Sequence, residues 1–322
     1  MVLAIRVHQT GGPDVMVAED IDLTPPQAGE VRVRHTAIGV NYIDTYFRSG
    51  LYKTTLPFSP GNEAAGIIEA VGEGVSDFKP GDRVVYLHGP GAYVEVRNVP
   101  ADKLIPLPDT VPDEVAAASL LKGLTVQYLL RSTFEVKSGH SLLFHAAAGG
   151  VGLIAGQWAR HLGAHIIGTA GSQAKVDLAM AHGYDHVINY AENGFVPKAL
   201  ELNGGRFDVV YDSVGADTFP ASLDVLKPRG LFVSFGQSSG PIPPFDIGIL
   251  NAKGSLYMTR PSLFAYNATR EDLLASAREL FDLIGRGIIT IPIHQRFALK
   301  DAAKAHQALE SRATTGTTIL VP

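Results

Sequence analysis

Residues 142–163 read LLFHAAAGGVGLIAGQWARHLG. A short apolar run enters a glycine-rich turn, and residues spaced as on a helix follow at once. Set against the pattern G-x-G-x-x-G, the register is Ala147, Gly149 and Gly152, with alanine in the first place. Gly149 lets the backbone approach a pyrophosphate, and Gly152 lets helix and strand pack closely. The helix start at Gly150 and Val151 offers N–H donors and the positive end of a dipole to an anion. The same residues, taken alone, also suit a tight strand-to-helix turn with nothing polar bound to it.

The surroundings decide between these readings. Downstream, apolar runs at 164–170, 186–189, 207–212 and 230–235 alternate with helical patterns at 175–181 and 219–226, after a first pair at 141–147 and 151–162. Such alternation specifies right-handed βαβ units and a doubly wound parallel sheet. Upstream, short β-branched segments such as MVLAIRVHQ, EVRVRHTAIGV, AAGIIEAVGEGV, DRVVYL and AYVEVRNVP are separated by Gly/Pro clusters. They predict a compact, partly open barrel rather than a parallel sheet. A helix is expected over 112–132 at the junction. Past Pro261 come a helix at 271–284, a strand-like 288–293, a helix at 300–310 and a terminal strand TTILVP. That tail is expected to return to the first domain, which gives the division 1–123, 124–261 and 262–322.

Bulk properties narrow the function. The 322 residues carry a net charge of −5 and no Lys/Arg run, which argues against a nucleic-acid partner. There is no cysteine, so disulfides, thiolate nucleophiles, Fe–S clusters and thiolate zinc sites are excluded. Arg6 and His8 interrupt the N-terminal apolar stretch, which is therefore no signal peptide, and no apolar run has the length of a membrane span. A soluble, cytoplasmic protein is expected.

The end of the strand after the glycine turn selects the cofactor. A carboxylate there binds the ribose hydroxyls of NADH and repels a 2′-phosphate. Here the strand ends at Thr169, Ala170, Gly171 and Ser172 with no acid, and Lys175 follows in the first turn of the next helix. Space, small donors and a cation predict NADPH.

The blocks GVNYIDTYFRSGLY, PGNEAAGIIEAVGEGV, AAASLLKGLTVQYLL, FHAAAGGVG, VVYDSVG, VSFGQSSG, GSLYMTRPSL and LESRATTG resemble the bacterial NADPH:quinone oxidoreductases. These form the ζ-crystallin-like branch of the zinc-free medium-chain dehydrogenase/reductases, and the likeness runs from the first strand to the last. It implies an α/β fold in which a Rossmann doubly wound parallel sheet is inserted into a discontinuous, GroES-like, mainly β domain. It also implies a homodimer and reduction of quinones by hydride or single-electron transfer from NADPH. By this resemblance Asn41 lies close to the nicotinamide, and Lys175 and Tyr190 hold the 2′-phosphate. Phe235, Gly236, Ser238 and Arg312 are further cofactor contacts, and the backbone at Met258 and Thr259 faces the nicotinamide. The segment around Leu256 is the edge strand that joins two Rossmann sheets across a dimer.

Zinc alcohol dehydrogenases of the same superfamily read G-H-E-x-x-G where this chain reads GNEAAG, so Asn62 stands in the place of a histidine ligand. Without a metal to polarise a carbonyl, the acceptor must already be electrophilic, as quinones and activated enones are. The protein then supplies position, a dry cleft and a hydrogen bond to the developing oxyanion. Candidate donors are Asn41, Tyr46 and Thr125, with Asp44 orienting its neighbours and Tyr52 shaping the pocket. Each has a plainer reading: Tyr46 as a packed ring, Asp44 as the cap of a helix beginning TYFRSG, Thr125 as a helix residue bonded to its own backbone. Reduction of activated C=C bonds, in enones or haloacrylates, is the nearest rival activity. A non-catalytic NADPH- or RNA-binding crystallin-like role is the more distant one, and the acidic charge speaks against RNA.

Two patterns are decoys. GQSSG at 236–240 matches G-x-S-x-G, but Pro241, Pro243 and Pro244 deny it the helix a nucleophile elbow requires. His161 and His165 are spaced like a metal pair, yet Gly163 ends the helix between them, so both are expected at the surface. His145, inside a strand, is expected to be a satisfied core or cleft histidine rather than a base.

Overall fold

The computed structural model describes residues 1–311 and 314–322, and the side chains of all of these but 192 and 193. The strands in chain order are β1 (Val2–Val7), β2 (Met16–Ile21), β3 (Glu30–Val40), β4 (Glu63–Val71) and β5 (Arg83–Leu87). Next come β6 (Val96–Pro100), β7 (Leu104–Pro106), β8 (Ser141–Phe144), β9 (His165–Ala170) and β10 (His186–Asn189). The last are β11 (Phe207–Asp212), β12 (Leu226–Ser234), β13 (Tyr257–Thr259), β14 (Ile293–Ala298) and β15 (Thr317–Val321). The chain divides into two compact units, one of Met1–Gly123, Thr269–Gly285 and Ile291–Pro322, the other of Leu124–Ala268 and Arg286–Thr290.

In the first unit β1 and β2 form a hairpin, and the remaining strands form a mixed sheet ordered β14-β15-β3-β4-β5-β7, with β6 also on β3. The order has two ends, so the sheet does not close on itself. β3 is the spine. Its register against β4 shifts twice, between Arg32 and Val33 and between His35 and Ala37, and such bulges bend a long strand around a core. That core joins Val31, Val33 and Ile38 to Val84, Tyr86, Leu104 and Leu320. The C-terminal strand β15 pairs antiparallel with β3, so the tail completes the sheet that the N-terminal segment begins.

In the second unit six parallel strands are ordered β10-β9-β8-β11-β12-β13. The chain starts at β8 in the middle, runs outward to β10, then returns to β11 and runs out the other way. This reversal places a crevice at the carboxyl ends of β8 and β11, where open α/β sheets bind their ligands. The inner strands are buried on both faces, with Leu142, Leu143, Phe144, Val209, Val210 and Tyr211 all at or near zero exposure.

Several expectations need correction. The helix expected over 219–226 is a short 3-10 turn, Ala221–Val225. Leu226 already pairs with Phe207, so β12 begins four residues earlier than expected. The strand expected at 288–293 instead starts at Ile293, because Pro292 lacks the N–H a ladder needs and the apolar alternation resumes after it. The return to the first unit falls at Thr269 rather than at 262, and Arg286–Thr290 belongs to the second unit. Strands β2 and β7, both short and rich in polar or proline residues, were not expected. No helix follows Ser238 before Gly248, in keeping with the reading of GQSSG as a decoy.

Candidate active site

Loops after β8, β9, β11 and β12 leave one edge of the parallel sheet. In the first, Ala146 takes a left-handed backbone (φ 56°), which turns the chain so that Gly149 can cap the helix Gly150–His161. The first intrahelical donor is the N–H of Leu153, bonded to the Gly149 carbonyl at 2.9 Å. The amides of Gly150, Val151 and Gly152 precede it and form the open end of the helix. A Cβ on Gly152 would lie 2.5 Å from the Ala147 carbonyl oxygen, so only glycine permits this helix to sit on this strand. A Cβ on Gly149 would meet only the Ala146 carbonyl oxygen, at 3.3 Å, so its glycine keeps space rather than relieving a packing clash. The turn therefore has the room and the donors for a pyrophosphate.

His145 anchors the turn from beneath. It is fully buried, with Nδ1 2.9 Å from the Thr169 hydroxyl and Nε2 2.9 Å from that of Ser222. Ser222 donates to the Thr218 carbonyl, so it accepts from Nε2–H, and Nδ1 accepts from Thr169. Burial holds the imidazole pKa below its ordinary value, so the ring ties β8 to the end of β9 as a neutral, satisfied group.

After β9, Ser172 caps the helix Gln173–Met180, and its carbonyl accepts the N–H of Lys175 at 3.1 Å. The Tyr190 hydroxyl lies 2.9 Å from where a Cβ on Gly171 would stand. Gly171 thus lies beside the Tyr190 hydroxyl, Ser172 and Lys175 begin the helix that follows, and no carboxylate occurs from 169 to 176. After β12, Phe235 donates its N–H to the Asp212 carbonyl and Ser238 to that of Ser213, which brings the fourth loop beside the third. Met258 and Thr259 lie on β13, at the end of the sheet, paired with Phe232 and Val233. Arg312 lies outside the described residues.

The first unit holds a different kind of site. Asn41 caps the helix Tyr42–Ser49, and Asp44, one turn in, accepts the Asn41 N–H at 2.9 Å. Asp44 is therefore the reaching partner in the cap and not the cap itself, as its place before TYFRSG suggested. It is fully buried and also accepts from the Asn62 amide at 2.6 Å and the Tyr93 hydroxyl at 3.0 Å. Burial outweighs these three bonds and raises its pKa to about 7. Tyr93 in turn meets Nε2 of His306 at 2.9 Å, and Nδ1 of His306 faces an Arg48 N–H at 3.1 Å. Arginine only donates, so Nδ1 accepts, Nε2 carries the hydrogen, and every bond in this chain points toward Asp44. Burial, helped by the Arg48 charge, lowers the His306 pKa to about 3. Arg48 closes the chain with a bidentate pair to the partly exposed Glu310, at 2.6 and 3.0 Å.

Beside this chain lies a second group. Asn41 donates its amide to Glu63 at 2.7 Å and accepts from the Lys122 ammonium at 2.8 Å. All three side chains are buried. Tyr46 and Tyr52 pack ring on ring, centroids 5.2 Å apart, on the outer part of the same helix and the loop after it. Thr125 is buried on the helix Asp113–Tyr128, within the second unit. Asn41 and Asp44 are thus brought together, while Tyr46 and Tyr52 form a neighbouring aromatic pair. The sequence reading missed Glu63, Tyr93, Lys122, Arg48 and His306. One signal was available: Lys122 is the only charge after Glu114 in a helix whose other residues there are apolar apart from Ser119, Thr125 and Gln127, and such a lysine, if buried, must find a partner.

Two family models match the chain, an alcohol dehydrogenase GroES-like domain over residues 27–109 and a zinc-binding dehydrogenase over 150–278. A quinone oxidoreductase of Salmonella typhimurium is 54% identical along all of both chains. This chain belongs to the quinone oxidoreductase family. The crystal structure of Escherichia coli quinone oxidoreductase complexed with NADPH superposes with a TM-score of 0.98, at 52% identity, over 99% of this chain and 100% of that one. A 2-haloacrylate reductase of a Burkholderia species is 43% identical over all of this chain and 99% of its own. The fold that the resemblance implies, a Rossmann sheet with a GroES-like partner, is that of the family. Zinc in the name of the second model does not carry over: the chain has no cysteine, and the cation beside Glu63 is the Lys122 ammonium. Among the described residues no group of three or more His, Asp or Glu side chains is arranged to hold a metal ion. Among them, too, no helix is long and apolar enough to cross a membrane.

Proposed function

We propose that this chain reduces quinones with NADPH in the cytosol. The observation that carries the reading is the end of β9: Gly171 lies beside the Tyr190 hydroxyl, Ser172 and Lys175 begin the next helix, and no carboxylate occurs among them, an environment suited to a 2′-phosphate. The glycine turn and the open amides of Gly150–Gly152 take the pyrophosphate, with Phe235, Gly236 and Ser238 on the far side of the crevice. Arg312 and the backbone of Met258 and Thr259 complete the cofactor set by resemblance.

NADPH supplies the hydride when bound. The protein positions the acceptor and stabilises the oxygen on which negative charge develops. We assign that hydrogen bond to the Asn41 amide, with Tyr46 and Tyr52 forming an aromatic wall and Thr125 a further donor. Asp44 fixes the start of the helix that carries Asn41. We further propose a homodimer through β13; its pairing with β12 alone among the described strands supports an edge open to a second copy.

The 43% identity to a 2-haloacrylate reductase supports the rival reading, reduction of an activated C=C bond on the same scaffold. Steady-state oxidation of NADPH with 1,4-benzoquinone, set against an enone and haloacrylate panel, separates the two. The expected result is a kcat/KM for the quinone at least about tenfold higher. A preference of that size for enones or haloacrylates would overturn the assignment.

A further inference from the structure

Lys122 is 6% exposed and sits in a helix whose other buried side chains are almost all apolar. A buried ammonium persists only where acceptors surround it. Its Nζ has three: Asn41 Oδ1 at 2.8 Å, the Val40 carbonyl at 3.2 Å and Glu63 Oε1 at 3.4 Å. None of these atoms can donate, so all three hydrogens of the ammonium are used. Glu63, with no exposed surface, divides its carboxylate. Oε1 faces Asn41 and Lys122, and Oε2 accepts the backbone N–H of Leu121 at 2.6 Å. The sequence leaves room for this carboxylate, because a Cβ on Gly39 would stand 2.3 Å from Glu63 Oε1.

The consequence falls on Asn41. Its amide oxygen is held by a cation and one amide hydrogen by an anion, so the plane of the amide cannot turn. A cation on the oxygen also draws electron density from the nitrogen, which makes the second N–H a stronger donor. We infer that Lys122 and Glu63 are positioning residues: their ion pair orients and polarises the Asn41 amide for the oxygen of the quinone. This rests on the role given to Asn41 above. Neither residue touches the substrate.

A pair that merely tied the helix to β3 and β4 could be replaced by neutral side chains with activity kept. Lys122→Met alone would strand a buried carboxylate, so the decisive variant is Lys122→Met/Glu63→Gln, which removes both charges together. It is expected to bind NADPH, by fluorescence titration, within about threefold of wild type, and to lose about thirtyfold or more in kcat. Across substituted benzoquinones its log kcat should also depend more steeply on acceptor reduction potential, since less help comes from the protein. In an Asn41→Ala background the same double substitution should cost nothing further, because the pair acts only through that amide. Wild-type-like kcat and slope in the charge-free variant, or losses that add with Asn41→Ala, would overturn the inference. Failure of the functional reading looks different: wild type would not turn over quinones, or Asn41→Ala alone would leave kcat unchanged.

Discussion

The glycine turn of the second unit and the buried polar chain of the first solve opposite problems. The turn is built from backbone: glycines that remove Cβ atoms and amides left open at a helix start, all within a few residues of one another. The polar chain is built from side chains that meet only on folding, with Arg48 and Glu310 separated by 262 positions. Backbone sites leave a local imprint, a fixed spacing of small residues. Side-chain networks leave only isolated polar residues in apolar surroundings, and nothing in the sequence says which of them meet.

The largest effect that would break this contrast concerns pH. The Asp44 carboxyl is raised from 3.8 to about 7, so between those values the folded protein holds a proton that the unfolded chain has lost. Its contribution is therefore full below about pH 4 and is lost as pH rises toward 7. His306 is lowered from 6.5 to about 3, so the unfolded chain binds the extra proton and stability rises with pH across that window. Each group is worth about 4 kcal/mol between its limits, with opposite sign. Across pH 4 to 6.5 the two slopes nearly cancel in the wild type, so urea unfolding should show Asp44→Asn gaining stability with rising pH relative to wild type and His306→Gln losing it. Slopes unchanged from wild type in both variants would mean that the two groups titrate alike in the folded and unfolded states.

The next effect sharpens the backbone side. Gly152→Val forces a Cβ against the carbonyl oxygens of Ala146 and Ala147, at 2.5–2.6 Å. Overpacking of this kind costs about 1–3 kcal/mol, and the displaced helix start should no longer bind NADPH. Thermal unfolding and calorimetry on the same sample check both halves.

Legibility followed the same division. The parallel sheet, the tight glycine turn and the return of the tail to the first sheet could be read, because βαβ periodicity and glycine spacing are local. Element ends failed where proline intervened: Pro220 and Pro228 flank the 3-10 turn read as a helix, and Pro292 delayed β14. Asn41 is singled out by the resemblance and Asp44 as a carboxylate that orients its neighbours, while the partners that hold them in place go unread. Lys122 could have been noticed as a lone charge in an apolar helix. Tyr93 and His306, one at the edge of a strand-like segment and one on a helix face, look like ordinary core aromatics until the fold joins them.

The last effect, confined to one ligand group, tests the account most directly. Lys175 should contribute about 1.5–3 kcal/mol to holding a 2′-phosphate, and nothing to a ribose without one. Isothermal titration of wild type and Lys175→Ala with NADPH and with NADH isolates that term. The account predicts that wild type binds NADPH at least about tenfold more tightly, and that the substitution erases most of the difference while leaving NADH unchanged. Equal affinity of the wild type for the two nucleotides would contradict it.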